Sequence, residues 1–411
     1  MRTWIVVGAC ALAAASVAAA DAPWPQFAGP TRDFNVAGVE ITSAWPESGP
    51  KRLWQHDLGD GYSSIVVADD TLYTMYHADG RDHVVALSPE DGAVRWDFAY
   101  DAPFPKDTDT SFGPGPRSTP LVAGDRLVTV SVGGLLHCLD RKSGKPLWQH
   151  DLVLEYGGNV PTFGYAASPL LFEDRVIVAV GGEGKGVVAF RLADGSIEWA
   201  TGDDRCAYSS PVIIDVDGQR QLVVLMAKQI VAMKPENGDR LWTFAHETFA
   251  DVNAALPVWG GDNLLFVTSA YRTGSRMLKL KRDGGGTDVE QVWNAERIGV
   301  HHGAVVRVDD MLIGSVGMMG PAFLVGVDAK SGQQLWKQRG VAKANVMRVG
   351  ERFLVLGEDG ELMLAKADRK GLEVLCKAAI LERSSWTPPT VVGARVYVRD
   401  RKSIVALDLK G

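Results

Sequence analysis

The chain has 411 residues, of which 46% are hydrophobic and 23% charged, enough apolar mass for a large buried core. The formal net charge is −7 with no long basic run, which excludes the concentrated positive footprint a nucleic-acid partner requires. Beyond the amino terminus no stretch approaches the ~20 apolar residues of a membrane-spanning helix, so the mature chain is expected to have no membrane span.

Residues 1–20 read as a secretory signal peptide. Arg2 precedes an apolar stretch from Ile5 to Val17, and Ala18-Ala19-Ala20 places small residues at −3 and −1 of a cut before Asp21. Cleavage near Ala20 predicts a periplasmic or secreted protein. Val7-Gly8-Ala9-Cys10 has the form of a lipoprotein box, but the apolar run before Cys10 is only a few residues long, which argues against a lipid anchor. Cys138, Cys206 and Cys376 remain, each in or beside an apolar strand-like run. Without a Cys-x-x-Cys or an adjacent pair, they read as buried thiols. Residues 21–50 form an N-terminal extension.

From residue 51 a repeat runs to the end. Five segments end in Gly-x-x-x-Trp: Gly92 to Trp96, Gly144 to Trp148, Gly195 to Trp199, Gly238 to Trp242 and Gly332 to Trp336. Each follows a strand-like run and a polar turn, so each predicts a hairpin with glycine at a positive-φ position. Two copies are degraded. Trp293 follows an expanded Gly284-Gly285-Gly286 turn, and Leu375 stands where tryptophan is expected after Gly371. Two further strands precede each hairpin, as in Thr119 to Val122 and Arg126 to Val132. Four short strands per 40–50 residues, without helical periodicity, predict an all-β propeller over residues 51–411.

The last unit reaches Ala406-Leu407-Asp408 and lacks a fourth strand, while a spare one, Lys51 to Leu58 with Trp54, opens the repeat region. Joining them closes a ring of eight blades with no open sheet edge. The tryptophans at 54, 96, 148, 199, 242, 293 and 336 then read as wedges between blades, with Trp148→Ala or Trp242→Ala expected to cost roughly 3–5 kcal/mol.

On these residues the repeat resembles the quinoprotein, or PQQ-like, β-propeller family. It is similar both to the quinoprotein alcohol dehydrogenases and to the propeller lipoprotein of the outer-membrane β-barrel assembly machine. Trp24-Pro25-Gln26-Phe27-Ala28-Gly29-Pro30 is similar to the start of many exported PQQ-like repeat proteins. The resemblance implies the fold and either of two functions. One is a scaffold that binds a small ligand or an envelope protein, without a cofactor. The other is a dehydrogenase using PQQ with Ca²⁺ and a carboxylate base, although the adjacent-cysteine pair of many such enzymes is missing. No metal site and a monomer are expected.

Function is sought where blades converge. Three residues before the start of each innermost strand stand Tyr62, Arg117, Ala166, Tyr208, Ala254, His302, Lys343 and Trp386. Tyr165, Asn253 and His301 flank the small or paired members. Two readings of this ring stand. It is a channel-mouth site for a planar or anionic ligand, or a set of caps on the inner strands. His301-His302 lacks a spaced ligand set for metal. Gly181 to Gly186 reads as a hairpin turn, because a phosphate loop would need a following Ser/Thr and a helix. Asp101 to Pro116 reads as a loop over one face, with the composition of a lid.

Overall fold

A computed structural model describes residues 23–318 and 321–410. The cut before Asp21, the box at Cys10 and the last turn glycine, Gly411, lie outside the described residues. Eight sheets of four antiparallel strands follow one another around an axis, and one of them gains a fifth, parallel strand. Blade 2 is typical: Leu121–Ala123, Arg126–Val130, Leu135–Asp140 and Pro146–Asp151. First strands of neighbouring blades touch, Val66–Ala68 with Leu121–Ala123 and that with Leu170–Phe172, so they line the axis. Second and third strands are buried on both faces because each blade lies between two others, hence continuous apolar runs such as Val187-Val188-Ala189-Phe190. Outer strands alternate toward solvent.

The ring closes as expected. Lys51–Asp57 pairs antiparallel with Ser403–Asp408, with Trp54 opposite Ala406. A polar lock seals the same seam. The buried Arg399 guanidinium donates to Ser63 O, Thr74 Oγ1 and Met75 O of blade 1, each at 2.9 Å, and Arg401 pairs with Asp60.

Six of the seven repeat tryptophans reach the next blade directly. The indole N–H groups of Trp54, Trp96, Trp148, Trp199, Trp293 and Trp336 donate to the turn carbonyls of Pro89, Arg141, Leu192, Pro235, Ala329 and Asp368, at 2.8–3.1 Å. The turn glycines at 92, 144, 195, 238 and 332 have φ between +70° and +77°, and a methyl group on any of them would strike the preceding blade's indole. Glycine therefore serves twice, in the turn and as the seat for the ring. Trp242 differs because blade 5 has an expanded hairpin. Its N–H donates to Gln221 Oε1 of its own blade (2.7 Å), and Gln221 relays the bond to Thr287 Oγ1 of blade 5.

The strand register corrects one expectation. Every outer strand carries a bulge just before its tryptophan, and in blade 7 the residue after the bulge, opposite Leu364, is Cys376, with Leu375 in the bulge itself. The tight Asp368–Gly371 turn is shorter than its counterparts and shifts the register by one. Trp45 of the extension is buried in the core against which Cys376 packs. Cys138 and Cys206 are buried and Cys376 half-buried, all three as free thiols.

The extension does more than lead in. Trp24 exchanges backbone hydrogen bonds with Val67 of blade 1, Pro25 O accepts from Val122 of blade 2, and Asn35–Val36 pairs in parallel with the inner strand Ala344–Val349 of blade 7. Arg32, buried among blades 3 and 4, donates to Ser168 O, Pro169 O and Pro211 O. Val67 and Val122 lie near the far ends of their inner strands, so this strap crosses the channel opposite the expected mouth.

Candidate functional site

Between strap and mouth the inner strands are tied by side chains. The amides of Ser64, Thr119 and Ser168 donate to the hydroxyls of Thr119, Ser168 and Ser210 in the next blade, at 2.9–3.2 Å. Ala304 N donates to Asn345 Oδ1, Asn345 Nδ2 to Trp386 O, and Thr387 Oγ1 to Tyr62 O. First strands of only three residues in several blades leave amides without ladder partners, and these groups satisfy them. The sequence signal was the hydroxyl before proline in Thr119-Pro120, Ser168-Pro169 and Ser210-Pro211.

A cavity of about 460 Å³ opens above this belt and runs down to Phe27 of the strap. Seven members of the expected ring line it: Tyr62, Arg117, Tyr208, His301, His302, Lys343 and Trp386. Tyr165 and Asn253 do not. The Tyr165 hydroxyl donates to Val180 O (2.8 Å), and Asn253 Nδ2 donates to Met226 O and Ala227 O. Both side chains are turned into the blades, while the next residues, Ala166 and Ala254, face the cavity, as successive residues of an extended chain point to opposite sides. Sequence reading missed Phe112, Phe163, Tyr271 and Met318, which come from loops outside the repeat register.

The wall is a continuous aromatic surface. Tyr62 stacks on Trp386 at 5.0 Å and 17°, His302 and Phe112 sit 5.1 and 5.4 Å from Trp386, and Phe163 lies between Phe112 and Tyr208. Trp386 is held from behind, its N–H on Glu358 Oε2 (2.9 Å), and Lys343 shares that carboxylate at 3.3 Å. Phe112 belongs to the loop expected as a lid. That loop is anchored beside the mouth by Asp109 N on Thr162 O and by the Tyr62 hydroxyl on Phe112 O.

Charge is distributed unevenly in this wall. Burial pushes His301 down to about 4, and the Lys343 charge adds to the effect; burial holds His302 well below its ordinary value, so both imidazoles are neutral near pH 7. Burial likewise pushes the Tyr62 phenol up to about 12. Arg117 is the exception. Its guanidinium donates to Gly113 O and Gly115 O at 3.1 and 3.3 Å, and no carboxylate among the described residues pairs with it. Lys343, by contrast, is balanced by Glu358.

The donor set does not fit PQQ with calcium. Calcium takes six to eight oxygens, mostly carboxylates, and the dehydrogenase reading needs a carboxylate base. Among the described residues no Asp or Glu lines the cavity, and no three His, Cys, Asp or Glu side chains converge as a metal group. No helix among them is long and apolar enough to cross a membrane.

Comparison with known proteins agrees with the repeat. A family model described as outer membrane protein assembly factor BamB matches residues 40–111 and 106–317. The BamB of Yersinia pestis is 24% identical over 305 residues, covering 70% of this chain and 71% of that protein. The crystal structure of BamB from Moraxella catarrhalis superposes with a TM-score of 0.62 at 17% identity, covering 88% of this chain and 100% of that one. A quinohemoprotein alcohol dehydrogenase from Comamonas testosteroni gives 0.67 at 13% identity, covering 96% and 82%. With the eight-bladed ring, the docking tryptophans and a family match over more than half its length, this chain belongs to the BamB-like family of PQQ-repeat β-propellers.

Proposed function

We propose that this propeller is a non-catalytic binding scaffold of the cell envelope, acting outside the cytoplasm. Its channel-mouth cavity holds an aromatic, negatively charged group of a small ligand or of a partner protein. The observation that carries this reading is Arg117, a largely buried guanidinium without a carboxylate partner, set in a wall of Tyr62, Phe112, Tyr208 and Trp386. A buried cation of that kind favours an anion, and flat aromatic faces favour a planar one. Membership of a family described by an outer-membrane assembly factor supports a scaffold over an enzyme, as does the missing carboxylate.

Biphenyl-4-carboxylate, titrated by quenching of tryptophan fluorescence, is a suitable probe. The chain from Asp21 onward is expected to bind it. The double variant Arg117→Met with Tyr208→Leu is expected to lose at least tenfold in affinity at an unchanged thermal midpoint. Equal affinity in the variant rejects the cavity as the site. PQQ with Ca²⁺ forms the control arm, and dye-linked alcohol oxidation after its addition would replace the scaffold reading with the dehydrogenase one.

A further inference from the structure

The same cavity has a floor that no blade supplies. Its walls come from loops at the starts of the inner strands, but its base is Phe27, from the strap that crosses at the opposite ends of those strands. Phe27 is fixed edge-on against Phe34 at 5.5 Å and 87°. The chain reaches this position at a conformational cost. Ala28, Arg32 and Phe34 all adopt left-handed backbone, with φ of 65°, 59° and 58°, and Gly29 at φ +87° lies so close to Trp24 that a methyl group there would sit 2.9 Å from its ring. Three non-glycine residues in that region within seven positions persist only where surrounding contacts over-determine them. Those contacts are the Arg32 bonds to three carbonyls of blades 3 and 4, the Trp24 pairing with blade 1 and the Asn35–Val36 pairing with blade 7.

A bare inner-strand ring would leave the axis open at this end. Instead a strained strap, anchored on several sides, crosses it and places one aromatic ring in the lining of the binding space. Arg32 bonds the carbonyl of Ser168, whose hydroxyl belongs to the belt and whose side chain lines the cavity. Floor and wall thus share one hydrogen-bonded unit.

We infer that the strap 23–36 is a built-in stop that sets how long a ligand the cavity accepts, with Phe27 as the specificity-determining contact and Arg32 as the post that holds it. The inference rests on the binding role of the cavity proposed above. It makes the cavity single-mouthed, so a ligand enters and leaves past Phe112 and Trp386, and it assigns depth to the strap and affinity to the wall.

A length series of benzoate, biphenyl-4-carboxylate and p-terphenyl-4-carboxylate separates these roles. Wild type is expected to bind the two-ring acid at least tenfold more tightly than the three-ring one. Phe27→Ala is expected to shift that ratio at least tenfold toward the longer acid, whereas Trp386→Leu is expected to weaken both acids together. Binding in wild type with an unchanged length ratio in Phe27→Ala overturns the stop while leaving the cavity reading intact. If no acid binds wild type, the cavity reading fails, and hydrogen exchange decides the stop. Slow exchange at the Val67 and Val122 amides, at least tenfold faster in Arg32→Ala, supports a sealed floor, and equal exchange in the two proteins overturns it.

Discussion

Gly144 holds φ +70°, and a methyl group built there would lie 2.5 Å from the Trp96 ring. Gly144→Ala therefore meets a strained backbone and a steric clash together, and a loss of roughly 1–3 kcal/mol is expected. The indoles themselves divide by burial. Trp199 is buried and hydrogen-bonded to Pro235 O, so Trp199→Ala is expected to cost roughly 3–5 kcal/mol, read as a lower urea midpoint at constant slope. Trp148 is half-buried, and its truncation is expected to cost less than that of Trp199. Trp242→Ala falls at the upper end, because it also strips Oε1 of the fully buried Gln221 of its donor. Midpoints that do not move for Trp199→Ala would refute the docking role.

The strands of the ring were legible because each blade must present the same surfaces to its neighbours, which forces turn glycine, bulge and indole to recur at fixed spacing. The spare strand at Lys51 and the unfinished unit at Asp408 gave away closure for the same reason. Elements without a counterpart in other blades were not legible. Phe112, Phe163 and Tyr271 stand on loops of unequal length, and nothing in one chain fixes where such loops fold back. Tyr165 and Asn253 were one residue off, since alternation turned them inward and left alanine at the surface. The extension carried no repeat pattern, yet it buries Trp45 in the core against which Cys376 of blade 7 packs. Trp45→Ala is expected to lower stability by roughly 2–4 kcal/mol and to speed maleimide labelling of Cys376. A labelling rate equal to that of wild type would show that Trp45 does not shield Cys376.

Across the whole molecule, stability should depend on acid through its buried histidines. Burial pushes His137 down to about 4, His246 to about 3 and His301 to about 4, with His302 well below its ordinary value. An unfolded histidine takes its proton near 6.5, so between pH 6.5 and 4 the unfolded state binds more protons and the fold loses stability, by up to ~1.4 kcal/mol per unit of pH for each group. Asp82 opposes this. Burial raises it to about 6, and it favours the fold as pH falls through 6 toward the unfolded value near 4. Four groups outweigh one, so urea midpoints should drop from pH 7 to pH 4.5, and His246→Gln should flatten the slope. A midpoint indifferent to pH over that range would contradict the buried neutral imidazoles. The closing seam has a kinetic consequence of its own. Seven blades are made of consecutive residues and can form from neighbouring hairpins, but the eighth joins Lys51–Asp57 to Ser403–Asp408 across nearly the entire chain. Such a pairing is slow to nucleate, because so long a loop must be closed before any contact rewards it. A growing chain therefore remains an open arc until its last strand has been synthesised, and only then can its first strand find its partner.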